Sequence, residues 1–280
     1  MVAFRGILLA IALLLPGLSA QAKAADPAVP LVIGETFTVE SKILGETRCI
    51  NVYLPPGYSE PADTRLPVLY MPDGGLAEDF LHVAGLVQVS TGNGTMRPFL
   101  LVGIENTERR RDMTGPTESA EDKKIAPRVG GSAAFRRFLR DELMPQVKRR
   151  YRTTQETAIV GESLAGLFVV ETFLLEPDLF DTYIAFDPSL WWNNQALAHG
   201  ACEPLSRRPK LEKTLYLASS SEDIVEATGR LVEALGKCAS PGVHWQYEKM
   251  PEEKHSTIYH PAALKAFRTV FKPGPASGAH

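Results

Sequence analysis

Hydrophobic and polar positions sort the chain into short alternating runs followed by helical ones. Thr38–Ile43 and Arg48–Leu54 alternate around a Gly45-Glu46 turn, which predicts an antiparallel strand pair closed by Pro55-Pro56-Gly57-Tyr58. Leu66–Met71 is a continuous apolar run bounded by Pro72-Asp73-Gly74-Gly75, and Pro98–Ile104 is another. The period then changes. Within Ala133–Tyr151, Phe135, Phe138, Leu139, Leu143, Met144 and Val147 recur at helical spacing. Ala158–Gly161 reads as a strand, Leu164–Leu175 as a helix, and Tyr183–Phe186 and Thr214–Ala218 as strands. Asp223–Leu235 reads as a helix, Val243–Lys249 as a strand and Pro261–Phe271 as a final helix.

Strands that alternate with helices predict an α/β fold. Its central sheet is mostly parallel and covered by helices on both faces, with the antiparallel N-terminal strand pair at one edge. In such sheets ligands bind at the carboxyl ends of the strands. Chemistry is therefore expected just after Met71, Ile104, Val160, Phe186, Ala218 and Met250. The pattern runs without a linker, so residues 37–272 are expected to form one catalytic domain, after a loosely ordered lead-in (25–36) and before a flexible tail (273–280).

The N-terminus departs from this pattern. Arg5 precedes an apolar run, Ile7–Leu15, followed by Pro16, Gly17 and the small residues Ser19, Ala20, Ala22, Ala24 and Ala25. A charged start, a short apolar stretch and A-x-A-like sites predict a secretory signal over residues 1–24. The run is short of the roughly 20 residues of a spanning helix. The mature protein is thus expected in the periplasm or outside the cell, free of the membrane. A formal net charge of −3 argues against a polyanionic partner such as nucleic acid. Of the three cysteines, Cys202 and Cys238 are the preferred disulfide pair, because Cys49 lies in an early strand. Their spacing fits no metal-binding pattern.

Gly161-Glu162-Ser163-Leu164-Ala165-Gly166 carries the candidate chemistry. A serine nucleophile needs a sharp strand-to-helix turn that lifts Oγ clear of the sheet and aims the helix N-terminus at a developing oxyanion. The five-residue motif is weak alone; the strand before it and the helix after it supply the required context. The bland alternative is a serine that caps a helix. In this fold the order is Ser, acid, His. His255 follows the last strand by a short loop and is the expected base, with His260 as runner-up. The acid should follow the penultimate strand, which favours Glu222, then Asp223, then Asp187. Backbone N–H groups of Leu164 and Gly75 are the expected oxyanion hole. Arg111 could hold an anionic substrate or fix its loop through Asp112, and Trp191 could line an acyl pocket or pack beside Trp192.

With these residues in place the chain resembles the "putative esterase" family of α/β hydrolases, most closely its enterochelin-esterase-like branch. The resemblance rests on Leu66–Gly74, Val102–Thr107, Arg109–Thr114, Gly130–Tyr151, the Ser163 elbow, Pro188–Asn193 and His255. It implies a small-molecule ester substrate, hydrolysed without metal or other cofactor through an acyl-enzyme. A siderophore lactone, an aryl ester and a small acyl ester are all compatible. An acyltransferase, or a non-catalytic binding protein on the same scaffold, are the alternative readings. The family often has His where this chain has Glu162, Gly where it has Ala165, and Ser where it has Asp187.

Overall fold

A computed structural model describes residues 28–58, 63–221 and 224–274. The expected signal segment therefore lies outside the described residues. So do Glu222 and Asp223. By its internal contacts the chain divides after Val32, and the unit from Ile33 onward carries every element below.

Eight strands form one sheet: β1 (Gly34–Ser41), β2 (Glu46–Tyr53), β3 (Leu66–Pro72), β4 (Leu100–Ile104), β5 (Thr153–Glu162), β6 (Thr182–Phe186), β7 (Lys213–Ser219) and β8 (Val243–Lys249). Their spatial order is β1-β2-β4-β3-β5-β6-β7-β8. β1, β2 and β4 pair antiparallel, and all pairs from β4 to β8 are parallel. This is the expected arrangement, an α/β-hydrolase sheet with an antiparallel edge.

The continuous apolar runs have a direct cause. Side chains alternate across a strand, and both faces of this sheet are covered. In β3, Leu66, Val68 and Tyr70 enter one core with Phe135, Phe168, Phe173 and Leu215. Leu69 and Met71 enter the other, with Phe80, Val83, Val160 and Phe267. A strand buried on both faces has no polar positions to alternate with.

The short helices Arg109–Met113, Ala120–Ile125, Trp192–Gly200 and Cys202–Ser206 add to the sequence pattern, and two larger elements differ from it. The helix Phe80–Gly92 went unpredicted. Its Gly85, Ser90, Thr91 and Gly92 are poor helix formers, and Leu81 and Val89 are exposed, which blurs its period. Packing against the last helix, Tyr259–Val270, and against β4 holds it. The long helical run after Gly131 is broken by a π-turn at Leu139–Leu143. Pro145 has no N–H to donate to the Asp141 carbonyl, so the α ladder must change register there.

Cys202 and Cys238 form a disulfide with a Cα–Cα distance of 5.3 Å, which joins the helices Cys202–Ser206 and Ile224–Cys238. Cys49 is free. No described helix is long and apolar enough to cross a membrane. The bridge closes a sequence separation of 36 residues. Chain-entropy arguments for such a loop give about 3–4 kcal/mol. Cys202→Ser with Cys238→Ser should lower the unfolding free energy by that order in denaturant titration. An unchanged midpoint would mean the bridge does not constrain the unfolded chain.

Candidate active site

Ser163 stands between β5 and the helix Leu164–Leu175 at φ 60°, ψ −121°. A side chain there is strained, and such strain persists only where the surroundings over-determine it. Three bonds do so. The Ser163 N–H donates to the Phe186 carbonyl at 3.0 Å, and its own carbonyl accepts from Ser189 N–H at 3.0 Å and Leu167 N–H at 2.9 Å. Glycine is required on both sides. A Cβ on Gly161 would lie 2.7 Å from the Ala165 carbonyl carbon, and one on Gly166 would lie 2.9 Å from the Phe186 carbonyl oxygen. Ala165, which replaces a frequent glycine, fits because Gly161 leaves it room.

His255 reaches Ser163 as expected, with Nε2 at 3.0 Å from Oγ. Ser189 Oγ also lies near, at 3.4 Å. The other expected histidines among the described residues lie elsewhere. His260 packs its ring against His82 at 5.6 Å, and His199 and His244 are exposed.

The carboxylate bonded to His255 Nδ1 is Asp187, at 3.2 Å to Oδ2. Asp187 is the third of the three expected acids; Glu222 and Asp223, placed ahead of it, lie outside the described residues. Asp187 follows β6 at once, with φ 39°, and its buried carboxylate turns back across the ends of β6 and β7. There Oδ1 accepts the Ser220 N–H at 2.6 Å, and the Asp187 N–H donates to the Ala218 carbonyl at 2.9 Å. Burial alone would raise its pKa. The hydrogen bonds from His255 and Ser220 outweigh burial and hold it below the ordinary carboxylate value.

A second carboxylate faces the same nitrogen. Glu162 Oε1 is 3.3 Å from His255 Nδ1, with only 15% of the side chain exposed. Burial is the main reason its pKa is pushed up to about 7, with Asp187 and Asp73 adding to it; His255 and Arg109 act in the opposite direction.

Leu164 opens its helix, so its N–H has no acceptor within that helix and points toward the Oγ end. Gly75 is less simple. Its N–H donates to Glu78 Oε2 at 2.7 Å, while Glu78 Oε1 accepts from Asn106 Nδ2 at 2.9 Å. The second expected oxyanion donor is thus covered by an acidic side chain.

Of the two roles considered for Arg111, the contact that fixes its loop through Asp112 is present. Its guanidinium donates to Glu46 at 2.7 and 3.2 Å and to Asp112 at 2.7 Å. Fully buried Arg48 also binds Asp112, at 2.6 Å. Burial would raise the pKa of Glu46, but hydrogen bonds from Arg111, Thr107 and Arg48 prevail and hold it at about 2. This network fixes the loop after β4. The arginine at the site is Arg109, whose Nε and Nη2 hold Asp73 at 2.7 and 2.8 Å. The Arg109-Arg110-Arg111-Asp112 run pointed to that loop, but nothing in its spacing told which arginine turns which way. Trp192 is buried and its Nε1 donates to the Gly115 carbonyl at 2.9 Å, whereas Trp191 stays 38% exposed.

A family model described as "Putative esterase" matches residues 41–260. The chain belongs to this family. The esterase is 26% identical over 256 residues to the ferri-bacillibactin esterase BesA of Bacillus subtilis, covering 82% of this chain and 88% of that one. It is 30% identical over 185 residues to a siderophore triacetylfusarinine C esterase of Aspergillus fumigatus, covering 62% and 61%. Among solved structures, an IroE-like serine hydrolase from Shewanella oneidensis superposes with a TM-score of 0.77 at 28% identity, covering 85% of this chain and 80% of that one. A BES protein from Bacillus cereus gives 0.76 at 24% identity and shares the fold, covering 90% and 100%. The esterase thus falls in the siderophore-esterase-like branch, and the α/β-hydrolase fold is common to all of them.

Glu162 makes stability depend on pH. A carboxyl group whose pKa is raised in the native state holds its proton more tightly there than in the unfolded chain, so its contribution is complete below the unfolded value near 4.5 and is lost as pH rises toward about 7. At 1.36 kcal/mol per unit the loss is up to about 3 kcal/mol. Glu162→Gln should remove this decline, which thermal melts at pH 5 and pH 8 would reveal as a smaller difference than in the parent. An identical difference would show that Glu162 ionises as freely as an exposed carboxylate.

Proposed function

We propose that this esterase cleaves ester bonds of a ferric siderophore by a serine mechanism with an acyl-enzyme intermediate. The observation that carries the mechanism is the unbroken chain from Ser163 Oγ to His255 Nε2 at 3.0 Å and from Nδ1 to Asp187 at 3.2 Å. His255 takes the proton as Oγ attacks the ester carbonyl. Asp187 keeps the imidazole in the tautomer with Nδ1 protonated and balances the imidazolium charge. The Leu164 N–H stabilises the oxyanion, joined by the Gly75 N–H once the substrate carbonyl displaces Glu78. Collapse of the tetrahedral intermediate passes the proton from His255 to the leaving alcohol. Water then repeats the sequence and frees the acid.

The substrate class is supported by the relatives, whose names assign them siderophore esters, and by charge near the site. A hollow of about 340 Å³ is lined by Arg109, Arg110, Arg111 and Arg128, together with Glu108, Ala126 and Pro127. Arg109 joins this hollow to Asp73 beside the nucleophile turn. A ferric catecholate complex carries net negative charge, and a cluster of guanidinium groups attracts it. Action in the periplasm or outside the cell agrees with the N-terminal segment of the sequence and with the Cys202–Cys238 disulfide, which persists in oxidising compartments.

Ser163→Ala and His255→Ala should each lower kcat/KM on p-nitrophenyl butyrate by about 10⁴-fold or more. A fluorophosphonate probe should label the parent at Ser163 and leave Ser163→Ala unlabelled. Full activity in Ser163→Ala would sink the mechanism. For the substrate class, a ferric tricatecholate trilactone should be cleaved with a higher kcat/KM than the metal-free trilactone, and Arg109→Gln with Arg128→Gln should shrink that preference. Equal rates on both would remove the basis for a ferric substrate.

A further inference from the structure

The reading of Ser163 and His255 as nucleophile and base accounts for one carboxylate at Nδ1, yet among the described residues two stand there. Asp187 Oδ2 and Glu162 Oε1 lie 3.2 and 3.3 Å from the same nitrogen, one at the end of β6 and the other at the end of β5. The β5–β6 register opposes Glu162 to Phe186, the residue before Asp187, so the two acids are delivered side by side. Asp187 has further partners, but Glu162 Oε1 is buried and has no hydrogen-bond partner among the described residues. An acceptor in that condition costs free energy unless a donor comes to it. The Nδ1–H is the donor within reach, and a small tilt of the imidazole passes it from one carboxylate to the other.

We infer that Glu162 is a second acid of the site, a positioning residue that takes over the His255 Nδ1 proton when Asp187 does not hold it and supplies extra negative charge behind the imidazolium. The step moves no new proton. Ser163 gives its proton to Nε2, the Nδ1 proton stays on the ring, and the two carboxylates share the hydrogen bond to it. Five titratable or charged groups surround Glu162: His255 from the loop before the last helix, Asp187 after β6, Asp73 after β3, Arg109 after β4, and the buried Tyr259 hydroxyl of the last helix, which remains neutral because burial pushes its pKa far up. Asp187 and Asp73 disfavour the Glu162 anion, and Arg109 and His255 favour it. With its proton on, Glu162 is a neutral neighbour; with it off, a second anion faces the ring. Its pKa near 7 puts that change within the neutral range. The second charge favours the imidazolium and with it the attack by Ser163.

The test uses the full mature chain, p-nitrophenyl butyrate turnover and, as a readout that needs no turnover, the rate of fluorophosphonate labelling, each from pH 5.5 to pH 9. Where a triad has a single acid, removing it costs about 10⁴ in kcat. Here Asp187→Asn should lose only about 10–100-fold at pH 8.5, because Glu162 remains, and should lose far more at pH 5.5, where Glu162 is protonated. Glu162→Gln should match the parent within about threefold at pH 5.5 and fall about 3–10-fold behind it at pH 8.5. The double variant should lose about 10³–10⁴-fold at every pH, more than the product of the single losses at pH 8.5. Asp187→Asn as inactive as the double at pH 8.5 would overturn the inference. So would a ratio of Glu162→Gln to parent that stays flat with pH. The second result decides the matter alone should Asp187→Asn fail to fold, as judged by circular dichroism. An active parent with either negative result leaves the serine mechanism standing, whereas a parent that neither turns over nor labels removes the mechanism itself.

Discussion

The backbone bonds between the Ser163 turn and β6 are the constraint on which the rest of the site depends. A serine at φ 60° is held there by Phe186, Ser189 and Leu167. Without those bonds the turn would relax, Oγ would sink toward the sheet, and the helix start at Leu164 would point elsewhere. The close approach of Gly166 to the Phe186 carbonyl is part of the same contact. Strain at Ser163 is thus balanced by the pairing of two central parallel strands that are buried on both faces. Such strands are among the last parts of a sheet to open.

Around this centre lies an unusual density of ions. Arg48, Asp112, Arg111 and Glu46 form one network under the loop after β4, and Arg109 with Asp73, Asn106 and Glu78 forms another beside the nucleophile. Buried ion pairs add little net stability over apolar packing, yet breaking one partner is costly because the other is left uncompensated. Their effect here is to fix two loops whose backbones line the site. The Arg48 guanidinium also lies over the rings of Phe135 and Phe138, at 5.3 and 5.9 Å, so the helical layer and the loop are anchored by one side chain.

Much of this could be read from residue order. Apolar runs located the strands because burial on both faces leaves no other pattern, and the helix after Ser163 was plain because it is apolar all round. His255 followed from its place after β8. Three things were hidden. The helix Phe80–Gly92 is made by packing rather than by propensity. The carboxylate bonded to His255 Nδ1 follows β6 because a left-handed turn at Asp187 folds its side chain across to Ser220, and no sequence pattern announces a positive φ on an aspartate. The sequence reading assigns Arg109 no role and leaves two open for Arg111; the five-residue helical turn Arg109–Met113 sends these side chains, two positions apart, about 200° apart around its axis, one toward Asp73 and one toward Glu46.

The position of Asp187 has a consequence for how such a site can change over generations. Ser163 and Asp187 sit at the ends of β5 and β6, which are neighbours, and Ser163 and Ser189 are linked through the backbone. A chain that keeps this single strand pair in register keeps both groups in place. The side of Ser163 that faces β6 is thus secured by main-chain bonds, whatever side chains the surrounding loops carry, and substitutions along those loops can reshape the entrance without moving the contacts among Ser163, His255 and Asp187.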